Sequence, residues 1–288
     1  MIGQASPSVL FVGCGDIAQR LAVLLHNDYR LTGLRRHPNS LPDFIAPLAA
    51  DVCDGVAVRA ALQHTMFDYV VITLTPGERS EARYRQVYVD GTRHVLTALQ
   101  GKPRLLFVSS TSVYAQDSGE VVNEQSPALG KGFSGRCLLE AEQQEAVSRF
   151  AATVVRFSGI YGAGRSRLLQ QVREGRVDIA QAGQWTNRIH TDDAARVLEH
   201  LIRRWQAGIS PSPCYIASDT FPVSAGEVWR WLAIQQGVPD PLAKVDQQRA
   251  EATGKQCSSA LLQQTGFQFL YPDFRVGYAD IFSKTVKL

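Results

Sequence analysis

The stretch FVSSTSVYA, residues 107–115, ends an apolar run in a crowd of hydroxyls. Ser110 can hydrogen-bond an oxygen at a reacting centre, and Tyr114 adds a phenol able to exchange a proton. Chemistry of that kind adds or removes a proton at a carbonyl or hydroxyl oxygen. A second pattern, VLFVGCGDIAQRLA, carries Gly13-x-Gly15-x-x-Ala18. It supplies a glycine for a tight turn, a second where backbone must approach a pyrophosphate, and a small residue where helix meets strand. Asp16, Ile17 and Ala18 open the helix whose free N–H groups and partial positive charge would face the phosphates.

About twenty residues further on, a dinucleotide site selective for NAD places an acid on the ribose 2′-hydroxyl. Here LTGLRRHP stands instead, with Arg35 and Arg36 at the strand's end. Two guanidinium forks suit a 2′-phosphate, so the pattern predicts NADP, with NAD as the lesser cofactor. Asp51, closing PLAAD, is placed to meet the adenine amino group; the other reading is a cap for the helix beginning near Asp54. Thr73 and Thr75, ending VVITLT, and Ser109 would line the same cleft, or serve as ordinary strand residues.

Elements must position these groups. SVLFVG, YRLTGLR, DYVVITLT, RLLFVSS and ATVVRFSGIYG read as strands. Between them DIAQRLAVLLHN, GVAVRAALQH, ARYRQVYVDGTRHVLTALQ and RCLLEAEQQEAVSRF read as helices. Strands alternating with helices of this length predict an α/β fold, a Rossmann-like, doubly wound, mainly parallel sheet. After Tyr161 the chain turns polar and rich in glycine and arginine. The expected organisation is a dinucleotide-binding domain at 1–163 with the helix 191–207. A smaller C-terminal substrate lobe takes 164–190 and 208–288.

The 288 residues are 45% hydrophobic and 20% charged, with a net charge of +3. No basic footprint for nucleic acid and no apolar stretch of membrane-spanning length is visible. The N-terminus lacks the layout of a signal peptide. Five cysteines, at 14, 53, 137, 214 and 257, form neither a disulfide framework nor a zinc site. A cytoplasmic protein with reduced thiols and no metal is expected. Its partner is a small molecule, and a homodimer is left open.

In order along the chain, VGCGDIA, LAADV, VVITLT, YVDGTRHVLTAL, FVSSTSVYA, VVNEQSP, VVRFSGIYGAGR, NRIHTDDAA and YIASD resemble an extended short-chain dehydrogenase/reductase of the NAD-dependent epimerase/dehydratase kind. The resemblance implies a nicotinamide dinucleotide and a C-terminal lobe that closes on a substrate, often a sugar nucleotide. It implies a serine or threonine on the reacting oxygen, matched by Ser110. It also implies a tyrosine exchanging its proton and a lysine holding the nicotinamide ribose.

Two departures follow. The glycine motif is one residue short of the usual form, and YxxxK is absent: no tyrosine occurs between Tyr114 and Tyr161. An acid four residues after the lysine, taken as Glu140, maps the lysine to Arg136 and the tyrosine to Gly132, the preferred register. A register through Glu142 maps them to Leu138 and Ser134. Arginine keeps the charge but does not titrate at physiological pH. Tyr114 and Tyr161 are the remaining phenols near the sheet edge, either catalytic or packing under the cofactor. His190 with Asp192 and Asp193 permits a His–Asp pairing, though a helix cap at Asp192 is the simpler reading. Arg165, Arg167 and Arg188 would grip a substrate phosphate or lie in solvent. Two functions are compatible with this pattern: an NADP-preferring oxidoreductase with a non-standard proton donor, or a catalytically silent NADP(H)-binding sensor.

Overall fold

The computed structural model describes residues 6–144, 147, 149–243 and 252–285. The first five residues, and Glu145, Ala146 and Ser148 of the helix expected over 136–150, lie outside them. In chain order the strands are β1 (Ser8–Val12), β2 (Arg30–Arg35), β3 (Ile45–Ala49), β4 (Tyr69–Ile72), β5 (Arg104–Ser110), β6 (Ser118–Val122), β7 (Ala151–Phe157), β8 (Gly159–Tyr161), β9 (Gln184–Thr186), β10 (Arg188–His190), β11 (Cys214–Ala217), β12 (Val223–Ser224) and β13 (Thr253–Cys257). The helices are α1 (Asp16–Leu25), α2 (Gly55–Leu62), α3 (Glu81–Tyr84), α4 (Gly91–Ala98), α5 (Gly132–Glu142), α6 (Arg167–Arg173), α7 (Thr191–Gln206), α8 (Ala225–Gln236), α9 (Ala260–Gln264) and α10 (Phe274–Thr285).

Seven strands form one mostly parallel sheet in the order β11-β7-β5-β4-β1-β2-β3. β1 and β4 read SVLFV and YVVI and are buried at every residue, as strands covered on both faces must be. β1 pairs in parallel with β2 on one side (Val9 with Leu31) and β4 on the other (Val9 with Tyr69). The chain order therefore reverses at β1, and a ligand crevice opens beyond the carboxyl ends of β1 and β4. The Rossmann-like sheet expected from the sequence is the observed one. Between β4 and α4 the helix widens into a π-helical stretch, Arg85–Asp90.

Two compact units divide the chain. One holds the residues up to Ala115, Pro127–Arg156 and Ala195–Tyr215. The other holds Gln116–Ser126, Phe157–Ala194 and the residues from Ile216 onward. The first unit's core surrounds Leu10, Val12, Leu34, Val70, Ile72 and Phe107. The second has its own core around Val172, Val228, Leu232, Phe274 and Tyr278. The boundaries differ from the expected 1–163 and 191–207 because strand pairing overrides chain order. β6 joins the second unit's sheet β12-β9-β13-β6, and β8 pairs with β10. No helix among the described residues is long and apolar enough to cross a membrane. None of the five cysteines forms a disulfide.

Candidate functional site

The glycine turn links β1 to α1. Gly13 has φ of +81°, in the left-handed region. A Cβ there would lie 2.8 Å from the Thr73 carbonyl oxygen. Both backbone and space restrict the position to glycine. Thr73 closes the turn from β4: its backbone N–H donates to Val12 O at 2.8 Å and its hydroxyl to Gly13 O at 2.7 Å. Gly15, the N-cap of α1, differs in kind. A Cβ there would meet nothing nearer than Gly13 O at 3.9 Å, so the room beside it is left by the fold. That room faces the free N–H groups of the helix start. Ala18 is fully buried where α1 packs, and Ile17 is buried beside it. Asp16 is exposed and pairs with Arg20, Oδ1 to Nε 2.7 Å.

The turn forms one wall of a pocket of about 210 Å³. Arg35, Arg36, Asp51, Thr73 and Thr75 line it with Gly13 and Gly15. These expected cofactor residues therefore come together. Arg35 makes one long bond, Nη1 to Cys14 O at 3.4 Å. Arg36 is exposed, with no hydrogen bond or ion pair among the described residues. Asp51 is not the cap of α2; Asp54 is, accepting from the Val56 and Ala57 N–H groups at 2.9 and 3.0 Å. Asp51 instead accepts the Cys53 N–H at 2.9 Å. Burial pulls its carboxyl upward, but that bond and the nearby Arg36 and Arg83 charges outweigh it and hold the group below its usual range.

His37 and Arg83 also line the pocket and were missed in the sequence. Arg83 is on α3, where Nε donates to Pro76 O at 3.2 Å. The available signal was positional: α3 follows β4, so it starts at the same sheet edge.

The hydroxyls of β5 divide. Ser109 is buried and its Oγ donates to Glu142 Oε1. Glu142 in turn receives Arg156 Nη2 at 2.5 Å, an ion pair 5% and 10% exposed. Arg156 Nη1 donates to the Tyr114 hydroxyl at 2.7 Å, with the guanidinium 4.9 Å from the ring centroid. Tyr114 has no exposed surface. Ser109 and Tyr114 are thus committed to an internal ionic network. Ser110 is partly exposed at the strand end, where its Oγ accepts the Ser112 N–H at 3.2 Å and keeps its own proton to give.

Helix α5 decides the fate of Arg136. Its inward face carries Gly135, Cys137, Leu138 and Ala141, followed by Glu142. Arg136 and Glu140 point the other way. Arg136 reaches Glu81 at 3.7 Å, and Glu140 takes both Arg85 Nη atoms at 2.7 and 2.8 Å. The inward acid is Glu142, so the register that places Ser134 and Leu138 in the phenol and lysine positions matches the packing. The preferred register, with Arg136 over a ribose, does not.

The remaining candidates lie in the second unit. Tyr161 is buried against His190 and Tyr278, ring centroids 5.3 and 4.8 Å away. Burial drives its phenol far above the usual value. Arg165 and Arg167 are exposed at the start of α6. Arg188 is separate from them: buried, donating to Thr186 Oγ1 at 2.9 Å and lying 5.6 Å from the Phe274 ring centroid. Burial lowers its pKa, against the Tyr278 and Asp219 electrostatics. His190 Nδ1 is 3.6 Å from Asp192 Oδ2 and accepts the Asp192 N–H at 3.2 Å. Asp193 is buried and accepts the Leu270 and Tyr271 N–H groups at 2.9 and 2.8 Å, tying the start of α7 to that segment.

A Rossmann-like sheet, with a glycine turn at its switch point and a pocket lined by Arg35 and Arg36 beside that turn, is the architecture of a dinucleotide-binding α/β protein. The chain belongs to the NAD-dependent epimerase/dehydratase family, whose model matches residues 15–217. A solved structure from Methylobacillus flagellatus, described as an NAD-dependent epimerase/dehydratase, is 33% identical. The match covers 98% of this chain and 99% of that one, with a TM-score of 0.86. The 3-diazoavenalumate denitrifying reductase of a Streptomyces species is 24% identical over 235 residues, 74% of this chain and 75% of its own. MoeE5, solved with UDP-glucuronic acid and NAD, shares the fold at 19% identity. There 95% of this chain and 96% of that one are covered, with a TM-score of 0.72.

Proposed function

We propose that this chain is an NADP-preferring, epimerase/dehydratase-like oxidoreductase of a carbonyl or hydroxyl compound, with a sugar nucleotide as the leading substrate class. The observation that carries the cofactor reading is the pocket wall. Arg35 and Arg36 stand where an acid would select NAD, and Arg36 makes no hydrogen bond or ion pair among the described residues. The room at Gly15 and the free N–H groups of α1 fit a pyrophosphate, and Asp51, held ionised, fits an adenine amino group. When bound, the nicotinamide would supply hydride; the residues here hold its adenosine end. The reductase relative and the UDP-sugar complex of MoeE5 support the reaction and substrate classes. A cytoplasmic setting belongs to the same reading.

Titration of protein fluorescence with NADPH and NADH tests it. NADPH should bind at least tenfold more tightly, since a charge-assisted hydrogen bond contributes about 1.5–3 kcal/mol. Arg35→Ala with Arg36→Ala should erase that difference and leave NADH affinity nearly unchanged. Equal wild-type affinities would sink the preference. A second reading, a silent NADP(H) sensor, is favoured by the internal engagement of Tyr114 and the absence of a phenol on α5. It predicts tight NADPH binding with no NADPH consumption on a panel of carbonyls and sugar nucleotides.

A further inference from the structure

Resting on the oxidoreductase reading above, we propose that Tyr84, on α3, supplies the phenol that α5 lacks and gives its proton to the oxygen held by Ser110. The first turn of α5 is fixed by two close approaches. Gly130 N donates to Val113 O at 2.7 Å, and Gly135 has no room for a Cβ against the Ser112 carbonyl oxygen. The turn is thereby pressed against the segment that follows Ser110. Phe133 belongs to this turn, between the two positions, Gly132 and Ser134, to which a phenol maps.

Tyr84 packs edge-on against Phe133, ring centroids 5.2 Å apart and planes at 88°. Two ion pairs bracket it along α5: Glu81 with Arg136 before it, Arg85 with Glu140 after it. The tyrosine ring is held from the neighbouring helix against the side chain that lies between the two positions to which the phenol maps.

Its availability differs from that of the other phenols. Tyr29, Tyr69 and Tyr114 all have their hydroxyls hydrogen-bonded, to Gln206, Arg104 and Arg156. The Tyr215 hydroxyl accepts the Ser212 N–H, and Tyr161, Tyr271 and Tyr278 lie in the second unit. Tyr84 is partly exposed, and its hydroxyl has no hydrogen-bond partner among the described residues. Tyr88, one turn on, packs against the core of the first unit, and burial raises its phenol far above the usual range. Tyr84 thus combines a partly exposed ring against the first turn of α5 with a hydroxyl unengaged among the described residues.

In the reductive direction a bound reduced nicotinamide would supply hydride to the carbonyl carbon. The C=O π pair moves to oxygen, and that oxygen takes the Tyr84 proton while Ser110 donates a hydrogen bond. Solvent returns a proton to the phenolate. NADPH, one proton and a carbonyl compound give NADP⁺ and an alcohol.

The test uses the full chain with Tyr84→3-fluorotyrosine, read by fluorine NMR, and two probes: NADP⁺ and adenosine 2′,5′-bisphosphate. The latter fills the adenosine end only. NADP⁺ should move the resonance and the bisphosphate should not. If both bind and move it equally, position 84 serves the adenosine pocket beside Arg83, and the proposal fails. It fails too if NADP⁺ binds and leaves the resonance in place.

On an accepted carbonyl, Tyr84→Phe should lose 10²–10⁴ in turnover with NADPH affinity within about twofold. Retention of wild-type turnover overturns the assignment. If the wild type consumes no NADPH at all, the oxidoreductase reading fails, and the fluorine response still decides whether Tyr84 stands at the nicotinamide end. If neither probe binds by fluorescence titration, both readings fall together.

Discussion

The protein uses arginine in two ways, and the contrast separates a site from a scaffold. At the pocket beyond β2, among the described residues, Arg35 has one long bond and Arg36 none. In the interior, Arg156 is fully engaged by Glu142 and Tyr114, and Arg188 sits among Thr186, Phe274 and the Asp219 charge. A buried guanidinium must be compensated by the protein itself, so its partners are built in. A guanidinium on a pocket wall that has no hydrogen-bond partner in the protein is inexpensive in water and ready for an anion from outside. The first kind stabilises a fold; the second leaves binding energy for a ligand.

The most severe way to break the pocket side of this comparison is Gly13→Val. The substitution forces a β-branched residue to φ of +81° and drives its Cβ to 2.8 Å from the Thr73 oxygen. The turn must open, and with it the alignment of α1 toward the pyrophosphate. Neither NADPH nor NADH should bind up to about a thousand times the wild-type Kd, a loss of about 4 kcal/mol. Fluorescence titration reads this, with circular dichroism to show that the sheet persists. Binding within tenfold of wild type would place the phosphates elsewhere.

On the interior side, Glu142→Ala removes the carboxylate that serves Arg156 and Ser109 together. An unpaired buried charge typically costs about 3–5 kcal/mol, which urea unfolding should register as a lowered midpoint. Arg36→Ala supplies the control. An exposed side chain without partners should change stability by less than about 0.5 kcal/mol. If the two variants lost similar stability, the division between ligand-facing and structural arginine would collapse.

The glycine turn, the mainly parallel sheet and the basic pair were legible because each depends on local residue type: φ at Gly13, burial along β1, charge at the end of β2. The helix face of α5 was not. Registers through Glu140 and Glu142 have the same i, i+4 spacing, yet two residues on a helix differ by about 200° in direction. Only packing reveals that Glu142 turns inward and Arg136 outward. Tyr114 and Arg188 were illegible for the same reason: a polar residue near the sheet edge looks alike in sequence whether a ligand or a buried partner receives it. The lobe boundary moved because β6 pairs with β13, a contact between segments more than a hundred residues apart.

The finest test concerns the second interior arginine. Asp219, 1% exposed, has a carboxyl pushed by burial up to about 7 from the usual 3.8, with Arg188 pulling against the shift. Below about pH 4 the group is protonated folded or unfolded, and its contribution is fully present. As pH rises from there to about 7 the unfolded chain gives up a proton that the folded chain still holds. Stability should therefore fall across that window, by at most about 1.4 kcal/mol per pH unit, and level off above it.

Asp219→Asn keeps the shape and the oxygen that accepts the Phe221 N–H but cannot titrate. Urea unfolding of wild type and variant at pH 5, 6, 7 and 8 isolates the effect as their difference, because other carboxylates, Asp51 among them with its lowered pKa, cancel. The variant should gain on the wild type between pH 5 and 7 and keep a constant margin at pH 8. A difference that stays flat from pH 5 upward would mean that Arg188 holds Asp219 ionised throughout. In that case the second unit contains a paired arginine like Arg156, and the interior of this protein treats its buried cations in one way.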